Sequence, residues 1–140
     1  MELSKIKEIL DSYDVIINAL LFGSYAKGAS HSMSDIDIAI QTREEPDLLA
    51  IGEIISDVES VAEKKVDLVM LNDLYKKAPL LAFNIYQNHK ILFIKDKEAF
   101  DSFKENALHF YLDFKHIIDE QNRAFLQRVA DGTLAEIKTA

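Results

Sequence analysis

Ten residues separate Gly23-Ser24 from Asp35-Ile36-Asp37, and that arrangement limits the possible folds more than any other feature of the chain. The run from Val15 to Phe22 is β-branched and aliphatic, carries no charge, and reads as a buried strand that must turn at Gly23-Ser24. From Asp35 onward the order is Asp, Ile, Asp, Ile, Ala, Ile. Side chains alternate faces along a strand, so Ile36, Ile38 and Ile40 point to a core while Asp35 and Asp37 share the opposite face. The bland alternative is an ordinary turn followed by a solvated strand edge. Average Gly, Ser and Asp usage gives these four residues at fixed offsets by chance only about two times in a thousand chains of this length. The pattern therefore points to a site.

The remaining segments supply a frame for it. Leu3, Ile6, Ile9 and Leu10 recur at helical spacing over residues 3–12. Tyr25 to Ser30 suits a short helix, and Ser30 to Ser34 a polar loop. Pro46-Asp47 opens a helix to about Val61, with Leu48, Ile51, Ile54, Ile55 and Val58 as its apolar stripe. Val66 to Leu71 reads as a strand, Asn72 or Asp73 as the cap of a short helix, Pro79 to Gln87 as another helix, and Lys90 to Ile94 as a last strand. Lys97 to Val129 is helical without interruption, about 50 Å at 1.5 Å per residue. That exceeds what a small domain can cover, so part of it is expected to pack on something else. Phe100, Phe103, Phe110, Tyr111 and Phe114 are read as core, with partner docking the lesser reading for Phe125 to Val129. The expected fold is α/β (α+β): one domain over residues 1–140, a small mixed sheet flanked by helices, and a long C-terminal helix at about 97–129.

Composition removes several functions. The chain has 140 residues and no cysteine, so disulfides, thiolate metal sites and cysteine nucleophiles are excluded. A formal net charge of −8 argues against direct nucleic-acid binding and suits a basic protein partner. No apolar run approaches the roughly 20 residues of a membrane span, and the N-terminus lacks the layout of a signal peptide. A cytoplasmic location is expected.

Two carboxylates on one strand face hold oxygen-ligated divalent ions such as Mg²⁺, which keep several waters and need few protein ligands. Two such ions stabilise the attacking and leaving oxygens of an in-line displacement at phosphorus. Asp67, inside the apolar run Val66-Asp67-Leu68-Val69-Met70, supplies a third carboxylate, as a ligand of the nucleophile-side ion or as general base. Gly23 lets backbone approach a triphosphate, and Ser24 offers hydroxyl and amide donors. Lys27 reads equally well as a phosphate contact or as a solvated lysine, and Tyr25 as local packing. Together these residues describe transfer of a nucleotidyl group. Gly23 to Ser30 has the glycine spacing of a P-loop, but Ala29 stands where the phosphate lysine must sit, which rejects that alternative. His31, His89, His109 and His116 show no metal-ligand pairing, and only His31 falls near the site.

Gly23, Ser24, Asp35, Asp37 and Asp67 match the pattern of the nucleotidyltransferase superfamily with the DNA polymerase β-like fold. Gly23-Ser24-Tyr25-Ala26-Lys27-Gly28 resembles a segment of the minimal nucleotidyltransferases of the MntA-type antitoxin family. Lys65-Val66-Asp67-Leu68-Val69, Asn72 and Ala78-Pro79-Leu80-Leu81 are similar to its later section, so the likeness covers most of residues 18–95. The resemblance implies an antitoxin that moves AMP from ATP to a tyrosine of a HEPN-domain ribonuclease toxin of the HepT type, in a hetero-oligomeric complex. It also implies two Mg²⁺ ions held by Asp35, Asp37 and Asp67. The alternatives are a small-molecule nucleotidyltransferase of the aminoglycoside type, which usually carries a second domain, and a non-catalytic antitoxin that acts by binding alone.

Overall fold

The structure, a computed structural model, describes residues 3–26, 28 and 34–132. Its elements are α1 (Leu3–Ser12), β1 (Ile16–Phe22), β2 (Ile36–Thr42), α2 (Leu48–Ala62), β3 (Val66–Met70), α3 (Leu74–Lys77), α4 (Pro79–Gln87), β4 (His89–Ile94) and α5 (Lys97–Ala130). The strands form one mixed sheet in the order β3-β2-β1-β4. β1 runs antiparallel to both β2 and β4, and β2 runs parallel to β3.

Alternation along the strands divides the core into two layers. Ile36, Ile38 and Ile40 of β2 pack with Ala19 and Leu21 against Ile6 and Leu10 of α1 and Ile54 and Val58 of α2. On the other face, Leu20, Phe22 and Ala39 meet Leu74, Ala82, Ile85, Phe100, Phe103 and Ala107 from α3, α4 and α5. β1 lies between two strands and between two helical layers, so all seven of its residues are buried. This is why it reads as a continuous apolar run rather than an alternating one.

Caps fix where the two longest helices begin. The Ala50 N–H donates to Asp47 Oδ1 (2.8 Å), and the Ala99 N–H to Asp96 Oδ1 (3.0 Å). The buried Asn18 anchors α5 to the sheet. Its Oδ1 accepts from the N–H groups of Lys95 (3.0 Å) and Asp96 (3.1 Å), and its amide donates to Gln41 Oε1 (2.7 Å). Gln41 in turn donates to the Ala99 carbonyl (3.0 Å). Every buried side-chain nitrogen and oxygen among the described residues has a hydrogen-bond partner.

Some expectations need correction. Leu48 was expected in the buried stripe of α2, yet it is 85% exposed at the first position of the helix, whose buried residues begin at Ile54. Asn72 does not cap α3. It makes reciprocal bonds with the Thr42 backbone, donating to the carbonyl (2.8 Å) and accepting from the N–H (3.0 Å). Asp73 occupies the cap position without a side-chain capping bond. Tyr25 and Ala26 lie in a turn, and the remainder of the expected 25–30 helix falls largely outside the described residues.

α5 has two regimes. Its first three turns bury Phe100, Phe103 and Ala107 against the sheet. Tyr111 stacks on Phe83 of α4, with ring centroids 3.7 Å apart, and Phe110 meets Tyr75 edge-on at 4.8 Å. Beyond Phe114 every described residue is exposed, including Ile117, Ile118, Phe125 and Val129. Phe110 itself is 38% exposed and is core only in part.

Candidate active site

The site lies where β1 ends and β2 and β3 begin. Strand register aligns Phe22 with Asp37, and Asp37 with Asp67. Asp37 shares its sheet face with Ala39, and Asp67 shares its face with Val69, so both acids lie on the side covered by α3, α4 and α5. That cover ends before the acids, leaving Asp37 half-buried and Asp35 and Asp67 exposed.

The start of β3 is held from two sides. The Ile36 N–H donates to the Lys65 carbonyl (3.0 Å), which carries the parallel ladder back beyond the strand proper. The Val66 N–H donates to Glu59 Oε2 (2.9 Å), a side chain from the last turns of α2. Between them, Glu63 takes the left-handed conformation (φ 56°) that ends α2 and turns the chain into β3. A shift of one residue would move Asp67 to the opposite face, so these bonds determine whether the acids meet.

Gly23 adjoins Asp37. A Cβ placed on Gly23 would lie 2.1 Å from Asp37 Oδ2, and the backbone there has φ +71°, which side chains rarely adopt. Glycine is thus required at this turn by the carboxylate as well as by any phosphate approaching it. The Asp37 carboxyl is pushed above its ordinary range by burial first, then by the charges of Asp67 and Asp35, and by a hydrogen bond with Asp67.

These observations test the fit of a divalent cation. The donors are carboxylate oxygens, the chemistry a hard cation takes, and a cation would relieve the repulsion felt at Asp37. Among the described residues no three His, Cys, Asp or Glu side chains are drawn into a finished cation cage. The strands place the acids as neighbours without closing them around a centre. Ser24 lies in the turn beside Gly23, while Lys27 and His31 fall outside the described residues. His89 is a packing residue, its Nδ1 2.8 Å from the Ile85 carbonyl and its ring edge-on to Phe100. His116 pairs with Glu120 on α5 at 3.1 Å.

This mixed sheet, with a Gly-Ser turn after β1 and acids at the starts of β2 and β3, is the arrangement the sequence led one to expect of a nucleotidyltransferase. Residues 4–98 match the family model described as "Polymerase beta, Nucleotidyltransferase", and the chain belongs to that family. A putative protein adenylyltransferase of Methanocaldococcus jannaschii is 40% identical over 80 residues, which make up 51% of this chain and 92% of the relative. The protein adenylyltransferase MntA of Shewanella oneidensis is 38% identical over 66 residues, 47% of this chain and 48% of that one. Among solved structures, a toxin-antitoxin crystal structure with AMP-PNP superposes with a TM-score of 0.67 at 26% identity, covering 93% of this chain and 99% of the other. A tri-AMPylated Shewanella oneidensis HEPN toxin in complex with its MNT antitoxin gives a TM-score of 0.64 at 25% identity, covering 91% and 95%. The long C-terminal helix is part of this shared fold. Among the described residues no helix is long and apolar enough to cross a membrane.

Proposed function

We propose that this chain is a cytoplasmic protein adenylyltransferase that transfers AMP from ATP to a tyrosine of a HEPN-domain ribonuclease toxin and thereby acts as its antitoxin. One observation carries the reading. Strand register sets Asp37 opposite Asp67, directly behind Gly23, in a chain similar to proteins named as adenylyltransferases and to an antitoxin bound to an AMPylated toxin. Residues 1–140 act in this reading as a single minimal nucleotidyltransferase domain, and the functional assembly is a complex with the toxin.

Each residue has a defined task in the proposed mechanism. The Gly23-Ser24 turn receives the triphosphate, with the Ser24 hydroxyl and amide donating to its outer oxygens and Lys27 adding positive charge. Asp35, Asp37 and Asp67 would hold two Mg²⁺ ions, which supply charge stabilisation to the attacking and leaving oxygens. The acceptor hydroxyl oxygen forms a bond to the α-phosphorus, the bond from that phosphorus to the bridging oxygen breaks, and pyrophosphate leaves with the electron pair. Asp67 stands on the outer strand, placed to take the acceptor's proton or to hold the ion beside it. Orientation of the two oxygens in line provides much of the rate.

Intact-mass spectrometry of the purified HEPN toxin, incubated with ATP, Mg²⁺ and this protein, tests the reading. The toxin should gain whole AMP units with the wild-type chain and none with the Asp35→Ala/Asp37→Ala double variant, and peptide mapping should find the label on tyrosine. A double variant that still neutralises the toxin fully would establish inhibition by contact alone and overturn the proposal.

A further inference from the structure

We infer that Lys65 is an acceptor-side residue of the active site, holding the attacking oxygen on the flank opposite the phosphate turn. The inference rests on the nucleotidyl-transfer reading above. It begins with the order of the strands. Gly23-Ser24 follows β1, Asp35 immediately precedes β2 and Asp37 lies in it, and Asp67 belongs to β3 at the edge of the sheet. The site therefore has two flanks. If the triphosphate lies at the β1 turn, the nucleophile must enter from the β3 side to attack the α-phosphorus in line.

Lys65 stands on that side. Its carbonyl accepts from the Ile36 N–H at 3.0 Å, so it continues the β2–β3 ladder one step before Val66 and lies beside Asp35. Strand alternation gives it the face of Asp67, two residues on, which is also the face of Asp35 and Asp37. The two lysines before β3 thus diverge. Lys64 Nζ lies 5.9 Å from the centre of the Tyr25 ring, a side chain packed with the α1–α2 core layer, whereas Lys65 is exposed at the ladder position next to Asp35. Glu59, bonded to the Val66 N–H, fixes this register.

An ammonium at this position offers three donors to the attacking hydroxyl oxygen and stabilises the negative charge that develops as it loses its proton. It forms no covalent bond in the step. The new bond is still from the hydroxyl oxygen to the α-phosphorus, with pyrophosphate leaving.

The test compares wild type with Lys65→Met and Lys65→Arg, each with matched circular-dichroism melting. Equilibrium binding of α,β-methylene-ATP with Mg²⁺ and steady-state transfer of AMP to the purified HEPN toxin are measured separately. Lys65→Met should bind the analogue within about twofold of wild type and lose about tenfold in kcat/KM for the toxin, the effect of one nearby charge at an exposed site. Lys65→Arg should recover most of that loss. Unchanged transfer by Lys65→Met overturns the inference. So does a loss confined to analogue affinity, which would move Lys65 to the phosphate flank. Wild type that binds the analogue but never labels the toxin fails the antitoxin reading and removes the inference with it, a pattern distinct from a silent Lys65→Met beside an active wild type.

Discussion

At the scale of single residues, the site is built against the stability of the fold. Asp37 is half-buried, touches the only backbone position beside it that lacks a Cβ, and faces two other acids. Burial and those charges raise its pKa in the folded protein, so the folded state holds a proton that the unfolded chain has already released. The stabilising contribution is full below the ordinary carboxylate value and is lost as pH rises through the raised one. Asp37→Asn should therefore melt above wild type at neutral pH in metal-free buffer, and the difference should shrink toward about pH 4. The same variant should lose AMP transfer. A differential scanning calorimetry series across pH checks this, and an Asn variant that melts below wild type at neutral pH refutes it. Such a conflict between activity and stability is common at sites that crowd like charges.

At the scale of elements, the junction between α2 and β3 determines whether the site exists. Glu59 is on the helix, but its carboxylate bonds to the first amide of the strand that carries Asp67. Glu59→Ala should cost about 1 kcal/mol in urea unfolding, the size of a partly exposed charged hydrogen bond. Transfer activity should fall by more than that loss of stability explains, because the register of Asp67 loosens. Glu59→Gln should keep more of both. Equal, small effects on folding and transfer would assign Glu59 to stability alone. The elements themselves were legible in the sequence, since period-two alternation, a continuous apolar run at β1 and helical spacing placed every strand and long helix to within about two residues. What the sequence concealed is tertiary. Leu48 has the spacing of a core residue but sits exposed on the first turn of α2, and Asn72 has the chemistry of a cap but was captured by the Thr42 backbone. Lys65 was legible only as part of the segment that carries Asp67 and not as a site residue, because its neighbours depend on which strand lies beside β3.

At the scale of the molecule, α5 is an anchored rod. Its first turns complete the core, and from Lys115 onward every described residue faces outward. The apolar stripe continues past that point unchanged, so the sequence could not show where the helix leaves its own domain. A chain ending after His116 should unfold within about 0.5 kcal/mol of full length, as changes at exposed positions do, while its circular-dichroism helix signal falls in proportion to the residues removed. A large loss of stability would mean that the distal helix folds back onto the body. Asn18 has a consequence of another kind, one of timing. It lies in the first strand, yet its amide is satisfied by backbone 77 and 78 positions later in the chain. Until Lys95 and Asp96 have been synthesised, β1 lacks its β4 neighbour and the amide lacks these partners. Contacts so distant along the chain slow folding through the entropy of closing the loop between them. During synthesis the Gly23-Ser24 turn and all three acids emerge before β4 closes the sheet beside β1, so the nascent chain carries every residue of the site before the fold that supports it is complete.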